Sequence, residues 1–182
     1  MRHKNDQKDM NNLLVENLLG LPEKILKFYY LDDLSQMVLH HISCDDCFGL
    51  DKSAYFIDNP DFDHLQGVAG FSKDESVYHN SDFWKDPANI KDKIKDTSFL
   101  NKIRRYLDTS FARKKIDFHN SREILELGNK IGIKHPDFCC WEMKHGNYGL
   151  LIFESKSPLS VEKKKILKDV APLLSFCPIV RI

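Results

Sequence analysis

The chain has 182 residues, of which 42% are hydrophobic, enough for one ordinary domain with its own core. Lysine plus arginine and aspartate plus glutamate number 27 each, so no overall charge directs the protein to nucleic acid or to a membrane surface. No apolar run reaches the ~18 residues of a membrane-spanning helix, and the charged start has no apolar core of a secretory signal behind it. Five cysteines, an odd number, favour free thiols and a cytoplasmic location.

The N-terminal part of the chain predicts helices. After a charged start, four closely spaced leucines indicate a short amphipathic helix that ends at Gly20, and residues 1–20 form a segment of their own. Pro22 suits the first turn of a further helix, and apolar residues continue at helical spacing to about Ile42. We therefore expect one long helix or two coaxial helices over residues 10–42. Such an apolar stripe needs a partner, either the closing helix or another chain.

A turn with two cysteines comes next. Cys44-Asp-Asp-Cys47 follows His40 and His41, and two thiolates with an imidazole are ligand types suited to zinc. A second cysteine pair at similar spacing is missing. Cys44, Cys47 and His41 are therefore metal candidates, while the simpler interpretation is a turn with buried free thiols.

The segment after this turn predicts a β-hairpin and then an irregular region. Residues 53–58 and 64–71 have the composition of two strands joined by a short connection. Residues 72–97 are polar and irregular, but they contain four aromatic side chains close together: Tyr78, His79, Phe83 and Trp84.

Further helices and a second hairpin complete the pattern. A short helix is predicted near residues 87–95, and a clearer one begins at Thr97 or Ser98 and extends to Phe111. A brief strand is predicted over 115–118, with His119 at its exit, and a helix from Ser121 ends at Gly128 or Gly132. Residues 138–143 and 148–153 form the second hairpin, and Ser160 caps a closing helix that extends to about Leu174.

This order of elements indicates the fold class. The strands come as hairpins, and helices are inserted between the two pairs, so an α+β fold with an antiparallel sheet is expected rather than alternating βαβ units. Within the second hairpin, Cys139 and Trp141 share one face of the strand, and Phe138, Cys140 and Glu142 share the other.

Both ends of this pattern resemble a GAF domain. The opening "LDDLSQMVLHHIS" and "KSAYFIDNPDFDHLQGVAGF" and the closing "YGLLIFESKSPLSVEKKKILKDVAPLL" resemble the first and last elements of that family over about residues 20–176. The resemblance places the domain at 21–177, with a tail at 178–182. PAS domains are the most similar alternative fold, but their last secondary-structure elements follow in a different order.

The resemblance implies a central antiparallel sheet of five to six strands. The N- and C-terminal helices would cover one face and often pair between subunits, whereas inserted helices and loops would cover the other and enclose a small-molecule pocket. On this basis the candidate pocket residues are Tyr78, His79, Phe83, Trp84, His119, Cys139 and Trp141. Aromatic side chains there could stack on a planar ligand.

Three chemistries known in the family are not matched by the residues here. The cyclic-nucleotide motif retains only Lys156, because Lys163 and Lys164 occupy the positions of its two acids. No Cys-His dipeptide occurs for a bilin, and the 72–136 insert has no cysteine for a sulfoxide reductase. The chain also lacks the usual hydrolase and nucleotide-binding motifs.

The first hypothesis is a cytoplasmic GAF-like sensory or regulatory module that is not an enzyme and needs no cofactor. It would bind a small ligand between the sheet and the 72–136 insert and signal through the terminal helices of a homodimer. Its output domain would be fused to it or separate. A second hypothesis is a GAF fold used only for dimerisation or protein docking. A third is a thiol-dependent, sulfoxide-reductase-like enzyme that depends on Cys139 or Cys140.

Overall fold

The computed structural model describes residues 12–59, 64–87, 93–94, 97–108 and 121–178. Six α-helices with defined bounds occur in these ranges: α1 (12–19), α2 (Leu21–Lys27), α3 (Leu34–Ser43), α4 (Ser98–Arg104), α5 (Ser121–Ile131) and α6 (Val161–Val170). Residues 87 and 93–94, where a short helix is predicted, are helical as well. Five strands accompany them: β1 (Leu50–Asn59), β2 (His64–Ser72), β3 (Leu107–Asp108), β4 (Asp137–Glu142) and β5 (Tyr148–Ser155). Short 3₁₀ helices lie at Lys73–Glu75, Ser81–Lys85, Lys144–Gly146 and Ala171–Phe176.

The strands form one antiparallel sheet in the order β3-β2-β1-β5-β4. The two predicted hairpins therefore lie side by side, because β1 of the first pairs with β5 of the second. Four strands are long and β3 has only two residues. The α+β class is confirmed, and the predicted five to six strands are slightly more than the four long strands described.

Two predictions about helix boundaries are wrong. The N-terminal stripe is broken at residues 28–33, where Phe28 turns inward to stack on Trp84 and Asp33 accepts a hydrogen bond from Arg104. The helix predicted to extend to Phe111 ends at Arg104 instead. There the carbonyl of Tyr106 accepts a hydrogen bond from Gly67 N, which draws the chain into the sheet as β3. The brief strand predicted at 115–118 lies outside the described residues.

Helix caps agree with the sequence at three places. The Thr97 side chain accepts from Leu100 N, and the Ser160 side chain accepts from Lys163 N. Gly132 follows the last residue of α5 with a φ of +94°, the left-handed conformation that favours glycine.

Each face of the sheet has its own hydrophobic core. On one face, Tyr55, Leu151 and Phe153 pack with α1–α3 and with the C-terminal helical segment. On the other, Phe56 and Ile152 pack with α4 and α5. Cys139 belongs to the first core, and Phe138 and Cys140 pack against the second, which settles the orientation of β4 that the sequence left open. We call these the terminal-helix face and the insert face.

The insert face is closely packed where α4 crosses β2. A Cβ atom added to Gly67 would lie 1.9 Å from the carbonyl oxygen of Ile103, and one added to Gly70 would lie 2.8 Å from the Ile103 side chain. Glycine at these positions allows the helix backbone to lie directly on the strand, so a side chain there would push α4 away from the sheet.

Candidate functional site

The predicted aromatic pocket residues are spread over different environments. Phe83 and Trp84 are buried in the core of the terminal-helix face, Tyr78 is half-buried against it, and His79 is exposed. His119 lies outside the described residues. The expectation that this group lines a pocket on the insert side is therefore wrong for Phe83 and Trp84, since the segment carrying them folds back over α3.

Two adjacent histidines of α3 hold this segment in place. His41 Nδ1 accepts a hydrogen bond from the indole N–H of Trp84 at 3.1 Å, and His41 Nε2 lies 3.2 Å from the carbonyl oxygen of Asn17 in α1. The indole nitrogen only donates and the carbonyl only accepts, so neutral His41 carries its proton on Nε2. His41 thus joins α1, α3 and the turn that carries Trp84.

His40 makes the equivalent connection to the preceding loop. Its Nε2 lies 3.0 Å from the carbonyl oxygen of Tyr78 and 3.3 Å from Ser76 Oγ. Its ring is in edge contact with Phe71, at 4.9 Å between centroids, and with Phe83, at 5.1 Å. The aromatic side chains therefore contact each other and the imidazoles, which is the arrangement of a filled core.

Both histidines are neutral at physiological pH. Burial, the largest cause, lowers the pKa of His40 and of His41 to about 4. For His41 the nearby charge of Lys24 lowers the pKa further, whereas Asp46 and the bond to Asn17 oppose the shift. A buried neutral imidazole with both nitrogens engaged has no lone pair to offer a metal, so His41 is unsuited to the zinc site considered from sequence.

The cysteines are equally unsuited to thiolate chemistry. All five are free. Burial raises the pKa of the Cys47, Cys139 and Cys177 thiols to about 12 and also raises that of Cys44 and Cys140. A thiol that is protonated at neutral pH is a poor nucleophile. Among the described residues, no three His, Cys, Asp or Glu side chains cluster as a metal site would require.

A large open groove lies on the terminal-helix face, between α2 and the C-terminal segment. Its volume is about 950 Å³. One wall is α2 with the residues that follow it, and the other is the β4–β5 turn with the 3₁₀ helix Ala171–Phe176. The apolar residues that line it are Pro22, Ile25, Leu26, Tyr29, Trp141, Met143, Pro172, Leu173 and Phe176.

The groove has a fixed floor and an exposed rim. Trp141 stacks on Tyr55 with ring centroids 5.7 Å apart, and its indole N–H donates to Ser175 Oγ at 2.6 Å. A Cβ at Gly149 would lie 2.2 Å from that indole ring, so glycine at this position leaves the space that the Trp141 ring occupies. At the rim, Leu26 is 77% exposed and Phe176 is 64% exposed. Large apolar side chains this exposed contribute little to the fold itself.

A second cavity, of about 380 Å³, lies at the start of α6 where the cyclic-nucleotide motif was tested. Lys156 and Lys163 line it. Two of its three serine hydroxyls are already engaged, because Ser155 Oγ donates to the Ser157 carbonyl at 2.7 Å and Ser160 caps the helix. This arrangement leaves those hydroxyls committed to the loop.

On the insert face the notable polar side chain is Asp58, at the end of β1. It is 3% exposed, and its Oδ1 has no hydrogen bond within the described part of the chain. Burial raises the pKa of this carboxyl, and the charge of His64 opposes the rise. A buried carboxyl with an unsatisfied oxygen is costly for the fold.

Comparisons with known proteins found no match that bears on the resemblance to GAF domains. No protein-family model matches the chain, no curated protein matches it, and no solved structure matches its fold. In the ranges that the structure describes, no helix combines the length and the apolar character needed to cross a membrane.

Sequence reasoning missed the groove and the role of His40. Leu26 in α2 and Tyr29 just after it line the groove although both are exposed, and this surplus of apolar residues in the sequence is a signal for it. The contacts of His40 have no such signal in the sequence, because the nearer of its two partners is the backbone carbonyl of Tyr78.

Proposed function

We propose that the chain is a cytoplasmic, GAF-like regulatory module that is not an enzyme and that works by pairing with a second copy of itself through the terminal-helix face. The observation that carries this proposal is the apolar groove between α2 and the C-terminal 3₁₀ helix. The free cysteines support the location, and their raised pKa values argue against the thiol enzyme considered as an alternative.

Three exposed apolar side chains border this groove. Leu26 and Phe176 stand at its rim, and Tyr29, which is 56% exposed, lines the same wall as Leu26. Single exposed apolar residues are common, but several that border one apolar groove are typical of an interaction surface. Burying these side chains against another chain would remove apolar surface from water, which is favourable.

The surface has the features of a self-complementary interface. It combines a ridge, the exposed side of α2, with the groove beside that ridge, so two copies related by a two-fold axis could each insert α2 beside the other. Exposed charges accompany both walls: Glu23 and Lys27 are exposed on α2, and Glu142 and Lys144 line the opposite wall. Facing walls can therefore match opposite charges.

Sedimentation of the purified full chain tests this proposal. We expect a wild-type dimer with a dissociation constant in the range of about 1–50 µM. Leu26→Glu combined with Phe176→Glu should weaken association at least ~100-fold, because each change places a charge in the apolar contact. Leu107→Glu is the matched control, since this residue is 59% exposed and lies in β3 at the opposite edge of the sheet.

Two results would refute the pairing. One is a wild-type chain that stays monomeric at about 100 µM. The other is a control variant that loses association as strongly as the groove variant. Circular dichroism of all three proteins should give the same helical content, so that a loss of pairing is not a loss of fold.

A second candidate function is the binding of a small ligand between the sheet and the 72–136 insert, and Asp58 favours it. Its unsatisfied buried oxygen suits a ligand with a cationic or hydrogen-bond-donating group. Native mass spectrometry of protein purified from its own cells tests this candidate. A retained small molecule that is lost in Asp58→Asn is expected, and a wild-type chain of bare polypeptide mass contradicts it.

A further inference from the structure

We propose that His41 is a proton-controlled latch: neutral, it holds Trp84 against α1–α3, and protonated, it releases Trp84 and disturbs the α2 wall of the groove. The latch itself stands on the contacts of His41. Its effect on pairing rests on the function proposed above.

The release follows from the hydrogen-bonding capacity of the two groups. Trp84 can only donate through its indole N–H, and it donates to His41 Nδ1 at 3.1 Å. Protonation of the imidazole puts a second N–H at Nδ1, so two donors would face each other across this distance. The bond to the Asn17 carbonyl survives protonation, since Nε2 already carries a proton. The Trp84 contact is therefore the one that breaks.

Burial, together with the positive charge of Lys24, keeps the His41 ring neutral and the latch closed near neutral pH. Lys24 of α2 and His40, the neighbour of His41 in α3, disfavour the charged imidazole. Asp46, in the turn after α3, favours it. Glu16 of α1 and the Asp82–Lys85 ion pair on the turn that carries Trp84 lie at the surface. Burial is the largest cause of the shift and brings the pKa of His41 to about 4. The latch accordingly opens only in acid.

Trp84 connects the latch to the groove through α2. Its indole stacks on Phe28, the C-cap residue of α2, with ring centroids 5.6 Å apart and an interplanar angle of 24°. The ammonium group of Lys24, on the same helix, lies 5.9 Å from the indole centroid. Ile25 and Leu26 line the groove from this helix. Loss of the indole removes one support of that wall.

Nuclear magnetic resonance of ¹⁵N-labelled wild-type protein between pH 7 and about pH 3 tests the latch directly, because this range extends below the His41 midpoint. At neutral pH, we expect His41 as the Nε2–H tautomer with an unprotonated Nδ1 that accepts from Trp84. The indole N–H signal of Trp84 should then move with the same midpoint as the His41 ring nitrogens, while most backbone amides of the sheet keep their positions. In His41→Gln, which cannot charge, this movement should vanish. In His40→Gln, the matched control, it should persist.

Four outcomes would overturn the latch. These are an Nδ1–H tautomer of His41, a Trp84 signal that stays in place while His41 charges, a Trp84 response that persists in His41→Gln, and unfolding of the whole chain in the same step. The first two need no variant, so they decide the question even where a substituted chain does not fold.

The effect on pairing is measured separately, by sedimentation at pH 7 and at a pH near the His41 midpoint. At that midpoint half of the chains carry a neutral His41, and pairing needs two such chains. We therefore expect the dissociation constant of the wild type to rise by up to about fourfold and that of His41→Gln to change much less. Equal changes in both proteins would overturn the coupling. A chain that is monomeric at every pH refutes the proposed function, whereas the resonance experiment still decides the latch.

Discussion

The side-chain amide of Gln36 takes the place of a neighbouring strand at Gly70, so replacing Gln36 should lower the free energy of unfolding. β3 pairs with β2 only at Leu65 and Gln66, so the outer edge of β2 is open further along. At Gly70, the side chain of Gln36 fills that place: its Nε2 donates to the Gly70 carbonyl at 2.8 Å, and its Oε1 accepts from Gly70 N at 2.9 Å. Gln36 is 2% exposed, so water does not compete for these bonds.

Replacing Gln36 by methionine keeps the volume and removes both bonds. Two buried backbone groups are then left without partners, and each costs about 1–3 kcal/mol. The apolar side chain is cheaper to bury than the amide, which offsets part of that cost. We expect a loss of about 3 kcal/mol in the free energy of unfolding, or roughly 6–12 °C in Tm for a chain of this length. Urea unfolding followed by circular dichroism measures it.

Gln36→Glu separates the donor from the acceptor. At neutral pH the introduced carboxylate can still accept from Gly70 N, but it faces the Gly70 carbonyl with a second acceptor and is buried as a charge. Protonation restores a donor, so the stability of this variant relative to wild type should recover as the pH falls from 8 to 6. A loss below about 1 kcal/mol for Gln36→Met, or a pH-independent penalty for Gln36→Glu, would refute the reasoning.

Three further predictions follow from buried groups of the fold. Because the pKa of His40 and His41 is about 4 in the folded chain and 6.5 in the unfolded one, the unfolded state binds more protons between these values, and stability should fall as the pH drops from 6.5 to 4. The upper limit is about 3 kcal/mol for each ring, and urea midpoints for wild type and the double glutamine variant isolate this contribution. Gly149→Ala should displace the Trp141 indole and lower the free energy of unfolding by about 2 kcal/mol. Soluble quenchers should then reduce the tryptophan fluorescence more strongly than in the wild type. Gly67→Ala should cost at least as much, measured by thermal unfolding, because its Cβ would meet rigid backbone of α4 and not a side chain that can move.

The sheet could be predicted from the sequence because its signals are local. β1 and β5 carry apolar residues on both faces, which indicates central strands, and they are indeed neighbours in the middle of the sheet. The caps at Thr97 and Ser160 and the glycine after α5 are signals of one to four residues. Given two hairpins and helices between them, a single sheet with a helical layer on each face is the arrangement that buries both sides.

The candidate site could not be predicted in the same way, because its parts meet through backbone atoms and distant elements. The sequence shows that residues 78–84 are aromatic, but aromatic side chains fit a ligand pocket and a core equally well. Their position is decided by His40 and His41, which bond to the carbonyl of Tyr78 and the indole of Trp84. A carbonyl is present at every residue, so no pattern of side chains indicates which one a histidine will contact.

The groove is a place where residues that serve the fold and residues that would serve pairing can be changed independently. α2 has seven residues, too few to be stable alone, so its helical state depends on the buried side chains Leu21 and Ile25. Leu26 and Tyr29 face outward and add little to that packing. Polar substitutions at these two positions should therefore leave the unfolding free energy within about 0.5 kcal/mol of wild type. If the same substitutions abolish pairing, the apolar character of this rim serves association, because the fold does not need it.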